Sequence, residues 1–126
     1  MPTLPPYAET LGISVETMDG APVYRMPFGD TVLGRPGFLH GGAIAGLLEI
    51  AAIGALMAAQ ESEARIKPIN MSVNFMRGGV EHDTFAGAAV TRLGTRVATV
   101  EAHAWQSDRA KPIASAQLNL LVRRSS

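Results

Sequence analysis

Cysteine is absent from these 126 residues, which excludes disulfides, thiolate-held metals and a cysteine nucleophile. Charge is equally spare. Eleven basic and eleven acidic side chains cancel to a formal net charge of zero. No run of Lys or Arg gathers into a basic patch, so a nucleic-acid partner is not expected. The three histidines, His40, His82 and His103, lack the close spacing of paired metal ligands, so no metal site is expected. The N-terminus holds Pro2, Pro5 and Pro6 with no basic residue leading into an apolar run. It does not read as a secretory signal, and a cytoplasmic location is expected. Against these absences stands an apolar content of 47%. A chain of this size with no net charge is then expected to bury apolar surface between copies of itself.

Much of that apolar content lies in one stretch. From Gly41 to Ala59 the chain reads as a single apolar segment in which Glu49 is the only charged residue. Burying a lone carboxylate costs several kcal/mol, so Glu49 must be paired, protonated or facing water. The segment approaches membrane-spanning length. Its central acid, its many Ala and Gly residues and its lack of aromatic or basic anchors point instead to an enclosed helix, with no membrane partner.

The rest of the chain is extended. Residues 1–10 read as a loose or short helical arm. Ile13, Val15 and Thr17, then Val23, Tyr24 and Met26, form a hairpin around Asp19-Gly20. Residues 29–39, with three glycines and Pro36, form a loop before the long helix. Glu61-Ser62-Glu63-Ala64-Arg65 is a solvated connector, and Lys67-Pro68 breaks any helix before the next element. Period-two stretches follow at residues 69–76, 85–92, 95–105 and 112–123. In the third of these Val97, Thr99, Glu101, His103 and Trp105 share one face. Arg77-Gly78-Gly79, Gly94 and Ser107-Asp108 are spaced like the turns of a meander. The fold class is α+β: a long central helix wrapped by a curved antiparallel sheet of about six strands, in a single domain over residues 1–126.

On a 100° helical projection Gly42, Ala45, Gly46, Glu49, Ala52 and Ile53 form one stripe of mostly small residues. Ile44, Leu47, Leu48, Ala51, Ala55 and Ala58 form the opposite face, which reads as anchored in the sheet. Just upstream, His40-Gly41-Gly42 leaves unobstructed N–H groups at the positive end of the helix dipole, a ready oxyanion site. Glu49 is about 10–13 Å further along the axis, too far for both to act on one carbonyl within one copy. An antiparallel pair of helices from two copies would bring one helix start to the other's acid.

The order of elements and the run Gly37-Phe38-Leu39-His40-Gly41-Gly42-Ala43-Ile44-Ala45-Gly46-Leu47-Leu48-Glu49 resemble the hotdog-fold acyl-CoA thioesterases. The nearest branch holds the phenylacetate-pathway and 4-hydroxybenzoyl-CoA thioesterases, and the resemblance covers about residues 15–122. It implies hydrolysis of an acyl-CoA thioester, with no cofactor beyond the coenzyme A of the substrate. It places the catalytic acid at Glu49, the carbonyl-polarising N–H at Gly41, and a histidine that holds this end of the site at His40. Substrate contacts are implied at Gly42, Gly34, Arg77, Gly94 and Arg96, the last two in a segment that in relatives often lies near the CoA moiety. The resemblance also implies homodimers, or dimers of dimers, with sites shared between subunits. Three positions depart from the family pattern. Gly34 stands where relatives carry Asn or Gln, Ile53 where the 4-hydroxybenzoyl branch has a hydroxyl, and Arg77 where some relatives have Ser. Two alternatives stay open at this point: an acyl-thioester hydratase or dehydratase, and a non-catalytic acyl-CoA-binding protein.

Overall fold

The computed structural model describes residues 4–60 and 64–124. In chain order it contains α1 (Pro6–Leu11), β1 (Ser14–Met18), β2 (Ala21–Met26), a 3-10 turn (Asp30–Val32), α2 (Gly41–Ala59), β3 (Ala64–Phe75), β4 (Thr84–Leu93), β5 (Val97–Trp105) and β6 (Ala114–Arg124). The strands form one antiparallel sheet in the order β1-β2-β4-β5-β6-β3, and α2 lies against it. This is the hotdog arrangement expected from the sequence.

The first hairpin closes as its residues require. Met18 pairs with Ala21 across the two-residue loop Asp19-Gly20, whose φ angles are 52° and 79°. Two positive φ values suit the twist of a tight hairpin, and glycine takes the second without steric cost. The later turns differ from expectation. Of the four later strands only β4, β5 and β6 succeed one another as hairpins, whereas β3 lies at the far edge and pairs with β6. Turn residues signal that a chain reverses, not which strand it meets next.

Position also explains the start of β3. Ala64 and Arg65 belong to this strand rather than to a connector, and residues 61–63 lie outside the described residues. Pro68 sits inside the strand, which an edge tolerates because one side needs no ladder partner. A register shift between Pro68 and Asn70 takes up the fault. Ile69 and Phe75 on this strand remain 52% and 55% exposed.

The core forms between α2 and the inner sheet face. Ile44, Leu47, Leu48 and Ala51 of α2 meet Ala98, Val100, Ala102 and Ala104 of β5 and Ala116, Leu118 and Leu120 of β6. The inward alanines let the sheet approach the helix closely, and each leucine fully buried there contributes about 1.5–3 kcal/mol. Ala55 and Ala58, expected on the anchored face, are partly or fully exposed, because the end of α2 runs past its cover. By length and composition α2 could cross a membrane, yet over half of its apolar window is buried in the fold. On the outer face, Trp105 is buried rather than open, because the Arg109 guanidinium covers its ring at 4.3 Å.

Gly54 marks the tightest approach of helix to sheet, since a methyl there would overlap the Tyr24 hydroxyl. Two effects compete on replacing it with alanine. Helix propensity favours Ala by about 1 kcal/mol, whereas overpacking costs about 1–3 kcal/mol. Tyr24 is 2% exposed and the overlap takes in a ring carbon as well as the hydroxyl, so overpacking wins. Gly54→Ala is expected to lower stability in urea denaturation, and a gain would show that the contact yields easily.

Candidate functional site

The start of α2 is held from several sides. His40 is the N-cap, with φ −71° and ψ 131°. Its own N–H donates to the Val32 carbonyl at 2.8 Å, and the Leu39 N–H donates to the Gly79 carbonyl at 3.0 Å. A Cβ at Gly34 would lie 3.0 Å from the His40 α-carbon, so Gly34 packs its backbone on the helix start. The loop is further seated by Phe38, which lies against Gly78 and beneath the Arg35 guanidinium at 4.3 Å.

The first turn leaves one donor over. The Ala43 and Ile44 N–H groups donate to the His40 carbonyl. The Gly42 N–H donates to His40 Nδ1 at 2.8 Å, which in a neutral ring places the proton on Nε2. Among the described residues the Gly41 N–H has no hydrogen-bond acceptor. It is partly exposed and lies beside the Phe75 ring, which a Cβ at Gly41 would meet at 3.4 Å. His40 therefore caps the helix while the Gly41 donor stays available.

Glu49 is partly exposed and has no ion pair or hydrogen bond among the described residues. Of the resolutions open to a carboxylate on an apolar helix, it takes the outward-facing one. Its neighbours on the open stripe are Gly42, Ala45 and Ile53, whereas Gly46 and Ala52 of the expected stripe are buried. Eight residues separate Gly41 from Glu49, about 12 Å along the axis.

Of the other expected contacts, Gly34, Gly42 and Arg77 lie at this end of the sheet. Arg77 is fastened by a bond from Nη1 to the Pro112 carbonyl at 3.3 Å. Gly94 and Arg96 do not join them. They lie in the β4–β5 turn, at the opposite end of β5 from Ala104, which is level with Ala114 and, across β6, with Phe75 beside the helix start. The length of β4 separates the two groups by about 30 Å. There Arg92, Gly94, Thr95, Arg96 and Asn119 line an open cleft of about 550 Å³. Among the described residues no three His, Asp or Glu side chains are grouped to hold a metal.

One ion pair escaped sequence reasoning. Asp83 accepts from Arg25 Nε at 2.9 Å and from the Phe28 N–H at 3.1 Å. The pair joins β2 to the entry of β4 and fixes the chain just ahead of residues 29–39. The Phe28 amide first, and then the Arg25 guanidinium, hold the Asp83 carboxyl below the usual range. Its partners lie 58 and 55 residues away, so no local pattern could have revealed it.

The profile of the thioesterase superfamily matches residues 36–113, which include the helix start, Glu49 and the clamp residue Asp83. The chain belongs to the thioesterase superfamily. That membership makes thioester hydrolysis its general chemistry. Solved structures show the same fold. A Chromobacterium violaceum protein is 37% identical with a TM-score of 0.75, the match covering 92% of this chain and 82% of that one. A mutant thioesterase from Pseudomonas aeruginosa is 24% identical with a TM-score of 0.81, over 94% and 86% of the two chains. A Bacillus halodurans protein solved with CoA is 21% identical with a TM-score of 0.85, over 95% and 80%. No curated protein sequence matches significantly.

The clamp makes a prediction about acid stability in this thioesterase. Because the folded Asp83 pKa is lowered, its contribution is present above the unfolded value of about 3.9 and is lost as pH falls through the folded one. Asp83→Asn is expected to destabilise the protein at pH 7 and to flatten the loss of stability below about pH 4. Urea denaturation of both proteins across that range measures it, and parallel curves would show that the clamp contributes nothing.

Proposed function

We propose that this protein hydrolyses an acyl-CoA thioester to the free acid and CoA, with each site built from two copies of the chain. The Gly41 N–H of one copy polarises the thioester carbonyl and carries the negative charge that develops on its oxygen. Glu49 of the second copy either attacks the carbonyl carbon or takes a proton from the attacking water. The carbon–sulfur bond then breaks, the thiolate leaves and takes up a proton, and water supplies the oxygen of the acid. The observation that carries this reading is an unpaired carboxylate on the open stripe of the helix whose first donor is unused.

Pairing follows from the same geometry. In an antiparallel pair of α2 helices, Gly41 comes level with Glu49 when the two-fold axis passes beside residue 45, midway between them. That residue is Ala45, small and partly exposed, so the helices can approach there. The edge strand β3, with its exposed Ile69 and Phe75, supports the same pairing, because an unpaired apolar edge is a template for another strand. In that arrangement the end of one helix comes toward the helix start of the other, and we assign the CoA end of the substrate to the β4–β5 turn of the second copy. Arg92 and Arg96 could then meet the CoA phosphates through guanidinium hydrogen bonds. The Bacillus halodurans protein solved with CoA in the same fold supports CoA as the thiol.

Two substitutions test the chemistry. Glu49→Gln is expected to lower kcat on acyl-CoA substrates by roughly 10²–10⁴-fold. Gly41→Pro replaces the N–H by a ring carbon, at a first helical position where proline fits and after a residue already extended. It is expected to lower kcat by about 10²–10³-fold with the fold intact. Thiol release followed with a chromogenic reagent measures both, and full activity in Glu49→Gln would remove Glu49 from the mechanism.

A further inference from the structure

Residues 76–83, between β3 and β4, form no regular element, yet the loop before α2 is tied to them at two points. The Leu39 N–H donates to the Gly79 carbonyl at 3.0 Å, and the Phe28 N–H donates to Asp83 at 3.1 Å. Between these ties the loop bonds to itself, through His40 to Val32, Gly34 to Phe38 and Phe38 to Arg35. Those bonds give it a shape without placing it on the sheet. Burial of Val32 and Leu39 holds it down, but apolar packing is non-directional and does not aim a peptide plane. Its placement therefore depends on what fixes residues 79–82. The Val80 side chain does not, being 40% exposed. The side chain of Gln106, the first residue after β5, does. Its Oε1 accepts from the Val80 N–H at 3.0 Å, and its Nε2 donates to the Val80 carbonyl at 3.0 Å. A neighbouring antiparallel strand exchanges the same two bonds with one residue. Nε2 also donates to the His82 carbonyl at 3.1 Å and to the buried Thr84 hydroxyl at 3.2 Å. Among the described residues no other side chain hydrogen-bonds residues 78–82.

We infer that Gln106 is a positioning residue for thioester hydrolysis, acting through Val80, Gly79 and Leu39 on the aim of the Gly41 N–H. The inference rests on the reading of Gly41 as the carbonyl-polarising donor. That N–H belongs to the peptide plane between His40 and Gly41, so its direction follows the backbone that enters the helix. Packing against the sheet fixes the axis of α2 and leaves that entry to its hydrogen bonds. Gly79 is buried against Leu39, whose Cδ1 a Cβ there would meet at 2.7 Å. A shift of Val80 therefore passes to Leu39 with little slack. An oxyanion donor works because it is aimed before the reaction, and a misplacement of about 1 Å costs roughly a hundredfold in rate. The residue type follows from the task, since one atom of the amide must accept while the other donates. An ionised glutamate would set a carboxylate oxygen against two carbonyls, and asparagine is shorter by one methylene.

Kinetics and amide hydrogen exchange on the intact protein test this link separately. Gln106→Ala is expected to lower kcat on acyl-CoA esters by roughly ten- to a hundredfold, with KM little changed. Exchange at the Val80 and Leu39 amides is expected to quicken. In the Gly41→Pro background the same substitution is expected to cost nothing further, because the donor it aims is already gone. Gln106→Glu keeps the shape of the side chain. Its kcat relative to wild type is expected to rise as pH falls and the carboxyl gains a proton to donate. Gln106→Met has nothing to protonate and is expected to stay low throughout. It controls for Glu81, His82 and Asp83, which line the same cleft. Unchanged kcat in Gln106→Ala, an equal loss in the Gly41→Pro background, or a flat Gln106→Glu ratio would each overturn the role while the hydrolase reading stands. Faster Leu39 exchange in Gln106→Ala, with no ester turned over by wild type, would uphold Gln106 as the tether of the helix start and overturn the hydrolase reading. Unchanged exchange without turnover overturns both.

Discussion

A helix that is apolar nearly all round has to be enclosed, and a carboxylate on that helix cannot be. The structure meets both demands by wrapping α2 with the sheet and leaving a stripe through Gly42, Ala45, Glu49 and Ile53 partly open. The sheet can come close because β5 and β6 turn alanines inward beside their leucines and valines. Where it approaches most closely, at Gly54, even a methyl group is excluded by Tyr24. The open stripe is therefore a consequence of the same packing that buries the opposite face.

The start of the helix follows a similar economy of donors. Capping by His40 uses the Gly42 N–H, and its carbonyl uses those of Ala43 and Ile44. Gly41 keeps its donor because the loop places it beside Phe75 rather than beside an acceptor. The long-range bonds that seat this loop, from Leu39 to Gly79 and from His40 to Val32, turn an ordinary helix end into a fixed one. Fixed donors stabilise developing charge without reorganising during the reaction.

Local chemistry made much of this legible in the sequence. Asp19-Gly20 predicted the hairpin because its φ requirement is local, and the apolar run with one acid predicted the enclosed helix. Partner choice was not local. Nothing near β3 says that it pairs with β6, and Pro68 looked like a boundary because its place on an edge was unknown. Arg25 and Asp83 are too far apart in sequence to announce a clamp. The stripe was drawn with Gly46 open because the arm that covers it, read as loose or as a short helix, gave no local sign of where it docks. Gly94 and Arg96 were placed near the CoA moiety by resemblance, and one chain holds them at the opposite end of the sheet from the helix start. The proposed pairing supplies a second copy to bring that end to the helix start.

That dependence on a second copy is the central claim, and mixing two inactive variants tests it directly. Glu49→Gln lacks the acid, and Gly41→Pro lacks the donor. In a hybrid pair, one site receives the intact Gly41 of the first subunit and the intact Glu49 of the second. Denaturing the two variants together and refolding them is predicted to restore thioester hydrolysis that neither shows alone. If the refolded mixture forms hybrids, as seen by native mass spectrometry, and still hydrolyses nothing, each site lies within a single chain and the account is contradicted.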